Sequence, residues 1–249
     1  MALPGARSGP GGRQYIGRMW SLPSVCQVCG AWPGQPVCVA CRRRFAPPVE
    51  RCPRCARATP DGGLCGECLT RTEEPAVRHC VAAVDYAYPW DGLVARLKFR
   101  QEPGWATPLA DLMWQRVRAA GLGTPDSLWV PVPVSHRRLI ERGYNQAWGL
   151  CRALQRLSGR PALADALARV GDAPDQHQLP HSLRLTNLRG AFAAHPERAD
   201  RLRHAHVVLV DDVRTTGATL EHAATALRRA GCAQVDALVF ARTAHPGEA

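Results

Sequence analysis

The sequence predicts an α/β fold, a mostly parallel sheet with flanking helices, preceded by a small cysteine-rich module. Three observations carry this. Beyond residue 80, apolar runs of strand length alternate with segments of helical period. The run "HVVLVDDV" (206–213) is almost continuously apolar, as expected of a strand covered on both faces. Eight of the eleven cysteines fall between positions 26 and 68, in four pairs of identical spacing.

The elements follow in order. Residues 1–24 are rich in Gly, Pro and Arg and read as a flexible tail. They hold arginines but no apolar stretch of the secretory type. Apolar runs stay short of the roughly 18 residues of a membrane span, so the chain is read as cytoplasmic. Residues 25–70 form the cysteine-rich module, and 71–79 a polar linker containing Pro75. The third part, 80–249, opens with a strand at 80–88 and helices at 91–99 and 105–121. A strand at 127–134 is interrupted by prolines at its end. In 145–159, Ala147, Leu150, Cys151, Leu154 and Leu157 recur at three and four, which makes an amphipathic helix. The strand at 206–213, a helix at 219–231 closed by Gly231, and a strand at 234–241 complete the pattern. Cys80, Cys151 and Cys232 occupy apolar periodic positions and read as core residues.

The paired cysteines are Cys26/Cys29, Cys38/Cys41, Cys52/Cys55 and Cys65/Cys68. Two-residue spacing lets both thiolates of a knuckle reach one tetrahedral Zn²⁺ at about 2.3 Å. Four knuckles make two complete Cys₄ sites, closed and structural. A disulfide framework would need an oxidising compartment. Adjacent pairing closes loops of 8 and 9 residues, interleaved pairing loops of 22 and 23. The entropy difference, about 0.9 kcal/mol per site, leans towards adjacent pairing but is small beside zinc binding at roughly 10 kcal/mol or more.

The formal net charge is +11, and Lys98 is the only lysine among 32 basic residues. Such a balance suits polyanionic partners, phosphorylated small molecules or nucleic acid. Arg42, Arg43, Arg44, Arg51, Arg54 and Arg57 crowd the cysteine module. They form either a nucleic-acid face or a solvated surface that offsets the −2 of each Zn–Cys₄ centre; the second reading is preferred.

The stretch "VLVDDVRTTGATL" (208–220) joins two chemistries. Ligands of open α/β sheets bind beyond the carboxyl ends of the strands, where Asp211 and Asp212 lie. Thr215–Thr219 then turn into a helix, whose first N–H groups and threonine hydroxyls suit a phosphate. Gly217 allows close approach or positive φ. The loop is not of the Walker type. Carboxylates repel phosphate but accept hydrogen bonds from a vicinal diol or hold Mg²⁺. A ribose 5-phosphate carries both groups. The alternatives are a capped strand-to-helix turn, or a receiver-type acidic pocket, which places its paired acids early in the domain.

At this point the chain resembles a known family. "VVLVDDVRTTGATL" is similar to the 5-phosphoribosyl-1-pyrophosphate (PRPP) motif of type I phosphoribosyltransferases. With the double zinc ribbon, "LKF" at Lys98, "VPVPVSHRRLIERGYNQA" (130–147) and "RVGDAPDQHQLPHSLRLTNLRGAF" (169–192), the chain is identified as a member of the ComF family. The resemblance covers nearly everything after residue 20.

It implies a type I phosphoribosyltransferase-like domain behind the zinc ribbons, and PRPP as ligand with Mg²⁺ on its pyrophosphate. By similarity Asp211 and Asp212 bind the ribose hydroxyls and stabilise a cationic transition state, while Thr215, Thr216, Gly217, Ala218 and Thr219 wrap the 5-phosphate. Val134 and Ser135 supply N–H donors in the place of the pyrophosphate loop, since Pro133 has none. Arg137, Arg142, Tyr144, Asn145 and Gln146 belong to the segment that closes over the site. Lys98 sits where the family carries its lysine. The implied partners are single-stranded DNA and a competence helicase or other proteins of DNA uptake. Two departures stand out. Arg214 occupies an apolar or variable position of the motif, and Pro180 and Leu183 stand where relatives start a polar helix, beside Gln176, Arg184 and Asn187. The resemblance leaves a PRPP- and DNA-binding protein without turnover, or a zinc-ribbon scaffold, as alternatives to an enzyme.

Overall fold

A computed structural model describes residues 24–170 and 191–244. In the N-terminal module two short helices, α1 (Val39–Phe45) and α2 (Gly66–Thr70), each begin directly after a cysteine. Cys38 caps α1, its Sγ accepting from the Cys41 N–H at 3.5 Å. The chain then enters β1 (Cys80–Asp85), α3 (Trp90–Phe99), a 3₁₀ turn (Pro103–Trp105) and α4 (Ala106–Ala120). Next come β2 (Leu128–Pro131), α5 (His136–Arg142) and α6 (Gln146–Ser158). A short hairpin pairs β3 (Leu167–Arg169) with β4 (Phe192–Ala194). After α7 (Ala199–Leu202) follow β5 (His206–Arg214), α8 (Ala218–Arg229) and β6 (Gln234–Arg242).

The sheet has the order β1-β6-β5-β2, and each of its pairs is parallel. β5 is central, and Val207 to Val210 are fully buried. Its even positions, Val208 and Val210, face the core under α3, α4 and α6, with Leu97, Met113, Leu150 and Phe240. The odd positions, Val207 and Leu209, pack with Leu220, Ala223 and Leu227 of α8 and with Phe192 of the hairpin. Burying such a side chain stabilises by about 1.5–3 kcal/mol, so both faces of this strand hold the domain together. Cys80, Cys151 and Cys232 are all buried in these cores.

The cysteine-rich module is docked on the sheet and helices. Cys26, Val37 and Cys41 join the core under α4. Trp90 Nε1 donates to Phe45 O at 2.6 Å, and Arg116 Nη2 to Ala46 O and Pro47 O at 2.7 and 2.8 Å. Pro53 O accepts from Cys80 N–H at 2.7 Å, which ties the second half of the module to the start of β1.

The ends of β1 and β2 fall short of those read in the sequence. β1 ends at Asp85, because Ala87 N–H turns back to Asp85 O and the chain leaves the sheet. β2 ends at Pro131: neither Pro131 nor Pro133 can donate to a ladder. The following residues form α5, capped by Ser135 Oγ on Arg138 N–H and ended by Gly143 at φ 78°. The hairpin was not foreseen either, since three-residue strands carry too little alternation to be read. Gln176, Arg184 and Asn187 lie outside the described residues.

Candidate functional site

The site is built where β5 and β2 end side by side. Pro131 pairs with Val210, and Val132 N–H donates to Val210 O at 2.9 Å. Beyond that bond, no further backbone hydrogen bond joins 132–135 to β5 among the described residues, so the two strand ends part next to Asp211 and Asp212. Among the described residues the N–H groups of Val134 and Ser135 carry no hydrogen bond, which leaves them available as donors.

Asp212 is 3% exposed, and Lys98 Nζ stands 2.9 Å from its Oδ2. Lys98 reaches it from the last turn of α3. That oxygen has no hydrogen bond of good geometry among the described residues, so the ammonium is its compensation. Asp211 is half-buried, and its Oδ1 accepts the Asp212 N–H at 2.8 Å. Burial and the adjacent Asp212 carboxylate push its carboxyl well above the usual range, against the backbone bond and Lys98.

The loop after β5 is short. Thr215 and Thr216 are exposed, Gly217 takes φ 89° as the N-cap, and α8 begins at Ala218, one residue earlier than the sequence suggested. Ala218 and Thr219 therefore form the first helical turn, with their N–H groups unpaired within the helix. Gly217 has no side chain to cap this end, and Thr216 Oγ1 accepts the Ala218 N–H at a long 3.4 Å. The arrangement can receive an anion beside a pair of carboxylates.

α5, which follows 132–135, contains no buried residue. Arg137 is 84% exposed and pairs with Glu141 at 3.5 Å. Arg142 is held lower: Nη1 donates to Gln146 Oε1 at 2.9 Å, and its guanidinium lies over the Phe99 ring at 5.1 Å. Behind it, Asn145 Nδ2 donates to Val132 O at 3.1 Å while Oδ1 caps α6, and Tyr144 OH donates to Leu97 O. The arginines of this segment are thus carried on a superficial helix whose C-terminal side is tied down by these bonds.

The eight cysteines form two clusters, Cys26/Cys29/Cys38/Cys41 and Cys52/Cys55/Cys65/Cys68. The knuckles pair with their sequence neighbours. Sulfur separations of 3.9 Å (Cys26–Cys41), 3.7 Å (Cys29–Cys38) and 3.5 Å (Cys55–Cys65) match the roughly 3.8 Å expected around a tetrahedral ion with 2.3 Å bonds. Although burial opposes it, backbone N–H groups lower the Cys26 thiol to about 6 and the Cys52 thiol to about 7. Both sets fit Zn²⁺ and leave no open position.

The module's arginines are largely engaged within the chain. Arg42 pairs with Asp111, Arg51 with Asp85 at 2.8 Å, and Arg57 with Glu67 at 2.8 Å, and Arg54 donates to Cys68 O at 3.1 Å. Arg43 and Arg44 remain exposed, the latter over the Phe45 ring.

Comparison with known proteins agrees with this architecture. Residues 172–249 match the phosphoribosyl transferase domain family. "DNA utilization protein YhgH" of Salmonella typhimurium is 34% identical over 233 residues, which is 90% of this chain and 100% of that protein. "Competence protein F" of Haemophilus influenzae is 34% identical over 182 residues, 72% of this chain and 78% of the relative. The chain belongs to the ComF family. "Competence protein ComFC" of Bacillus subtilis is 28% identical over 206 residues, 80% of each chain.

Two residues of this ComF-family chain were not singled out from the sequence. Arg242, paired in register with Arg214, is 6% exposed and donates from Nε to Cys55 O at 3.2 Å. Phe99 follows Lys98, is 69% exposed and lies under the Arg142 guanidinium. A basic residue ending an apolar strand was the available signal for the first, and the "LKF" block for the second.

Proposed function

We propose that the protein binds PRPP with Mg²⁺ at these strand ends and transfers phosphoribose to an acceptor, in the cytoplasm and in the service of DNA uptake or utilization. The observation that carries the reading is the buried Asp212–Lys98 pair, 2.9 Å apart, beside a glycine-capped helix N-terminus at the end of β5. The 5-phosphate would take the N–H groups of Gly217–Thr219 and the hydroxyls of Thr215 and Thr216. Asp211 and Asp212 would accept hydrogen bonds from the ribose hydroxyls. Lys98 and the N–H groups of Val134 and Ser135 would face the pyrophosphate, and Arg137 and Arg142 would approach it from α5. Mg²⁺ supplies charge neutralisation on the leaving group.

In the transfer, the C1′–O bond breaks and its electron pair leaves with pyrophosphate. An acceptor lone pair forms the new bond at C1′, and the acceptor loses its proton to solvent. The carboxylates stabilise the positive charge that develops on the ribose. Zinc in both Cys₄ clusters is part of the proposal, as is the division of the chain at 25–70 and 80–249.

Calorimetry of PRPP–Mg²⁺ binding tests the reading. Asp211→Asn combined with Asp212→Asn should abolish binding while the zinc content stays at two per chain. Binding at wild-type affinity in that variant would refute the assignment. Release of pyrophosphate from PRPP across a panel of acceptors separates turnover from binding alone.

The relatives' printed names concern competence and DNA utilization, which supports single-stranded DNA, a competence helicase or other uptake proteins as partners. Arg43 and Arg44 are the arginines of the cluster left free for a phosphate backbone. Their joint replacement by alanine should reduce the salt slope of oligonucleotide binding by about 1.4, at about 0.7 per phosphate contact on a single strand. An unchanged slope removes the module from the DNA interface.

A further inference from the structure

Arg214 is 4% exposed, and its Nε and Nη1 have no hydrogen-bond partner among the described residues. Arg242 lies abreast of it on β6, equally enclosed. Neither guanidinium makes an ion pair with a carboxylate among the described residues. A buried cation needs a counter-charge, and no single nearby side chain answers both guanidinium groups. Glu221 lines the same cavity and brings one negative charge, its Oε2 held by Ala76 N–H at 2.9 Å and Val77 N–H at 3.4 Å. Burial raises the Cys80 thiol, although Arg214 opposes this, and keeps it protonated.

What remains is the second cysteine cluster. Arg214 and Arg242 line a cavity of about 360 Å³ together with Cys55, Cys68, Thr215 and Thr216. Arg242 is already bonded to Cys55 O. Four thiolates around Zn²⁺ carry a net −2, which answers two guanidinium charges. The other end of the contact is the loop. A Cβ on Gly217 would stand 2.5 Å from Arg214 Nη2 and 2.6 Å from its Cζ, so the guanidinium lies directly against the turn that opens α8.

We infer that Arg214 is a positioning residue: it is the buried counter-cation of the second Cys₄ zinc centre and the prop of the loop Thr215–Thr219, so that zinc at that centre sets the loop's geometry. This rests on the proposed reading of zinc there. It does not require PRPP to bind.

The test uses the full zinc-loaded chain and two readouts. The first is zinc release to a chromophoric chelator. In Arg214→Met one of the two zinc ions should leave about tenfold faster or more, the size seen on losing an outer-shell partner of a metal site, while the other leaves at the wild-type rate. Arg214→Lys, which keeps the charge, should restore most of the difference. The second readout is amide exchange over 215–220, which should accelerate in Arg214→Met and in Cys68→Ser, with no further gain when the two are combined. Coupling is reciprocal, so Gly217→Ala, which displaces the guanidinium, should also speed release of one zinc selectively. Wild-type release of both ions in Arg214→Met and Gly217→Ala overturns the inference. Additive exchange effects in the double variant do so as well. If Cys68→Ser fails to fold, the release rates of the other variants decide alone. Failure of the PRPP reading would appear separately, as absent binding to the wild-type chain.

Discussion

Lys98 Nζ lies 2.9 Å from Asp212 Oδ2, a contact between the last turn of α3 and the central strand. The single lysine of an arginine-rich chain thus sits on the more deeply buried of two adjacent acids. A compact ammonium on a flexible stem reaches a lone carboxylate oxygen where a planar guanidinium would need more room.

Removing Lys98 leaves the Asp212 carboxylate buried without a counter-ion. Lys98→Met should cost about 1–3 kcal/mol of stability in urea unfolding, less than a fully buried pair because Lys98 is partly solvated. Adding Asp212→Asn should recover most of that loss. A double-mutant cycle with no coupling would show that the contact contributes nothing.

Asp211 carries the opposite cost. Its carboxyl is raised in the folded protein by burial and by Asp212. Its contribution is therefore full below the unfolded value of about 3.9 and lost as pH rises through the folded value. Asp211→Asn should raise Tm by a few degrees at neutral pH and flatten the profile between acid and neutral. Scanning calorimetry at a series of pH values reads this directly. A lower neutral Tm in the variant would contradict the assigned shift.

Asp236 shows the reverse sign. It is 1% exposed, and His206 Nε2 lies 2.7 Å from its Oδ2, Gln234 Nε2 at 3.0 Å and His79 N–H at 3.2 Å from Oδ1. Burial opposes the effect, but the His206 contact leads the groups that lower its carboxyl. Its stabilisation is present above the unfolded value and disappears as pH falls through the folded one. Asp236→Ala should cost about 2–3 kcal/mol near neutrality, with the difference from wild type shrinking in acid. Urea titrations at two pH values check it.

Zinc removal should unfold more than the module. Cys26 and Cys41 belong to the core that includes Trp90, and Trp90 Nε1 bonds Phe45 O. Chelation should lower the Tm of the whole chain and shift tryptophan emission to the red in the same transition. Two separate transitions, with the emission change confined to one, would show that the module unfolds alone.

Much of this was legible in one dimension. The parallel sheet followed from continuous apolar runs, because a strand covered on both faces cannot alternate. The Cys₄ sets followed from two-residue spacing, since one knuckle's geometry is local. The acid pair and the glycine loop were legible for the same reason: a strand end, a turn and a helix start are contiguous. α5 and the β3/β4 hairpin were not, because seven exposed residues and three-residue strands leave no period to detect.

The sequence by itself determined the α/β class, the two sets of four thiols and the order of acid pair, glycine turn and helix start in 211–219, all of them consequences of near-neighbour geometry. Only the tertiary structure decided which knuckles pair, that Lys98 meets Asp212 across 114 positions, and that Arg214 is buried against Gly217 instead of facing solvent. Those depend on where separate elements are brought together, and loop-closure entropy grows too slowly with separation to select among such partners in advance.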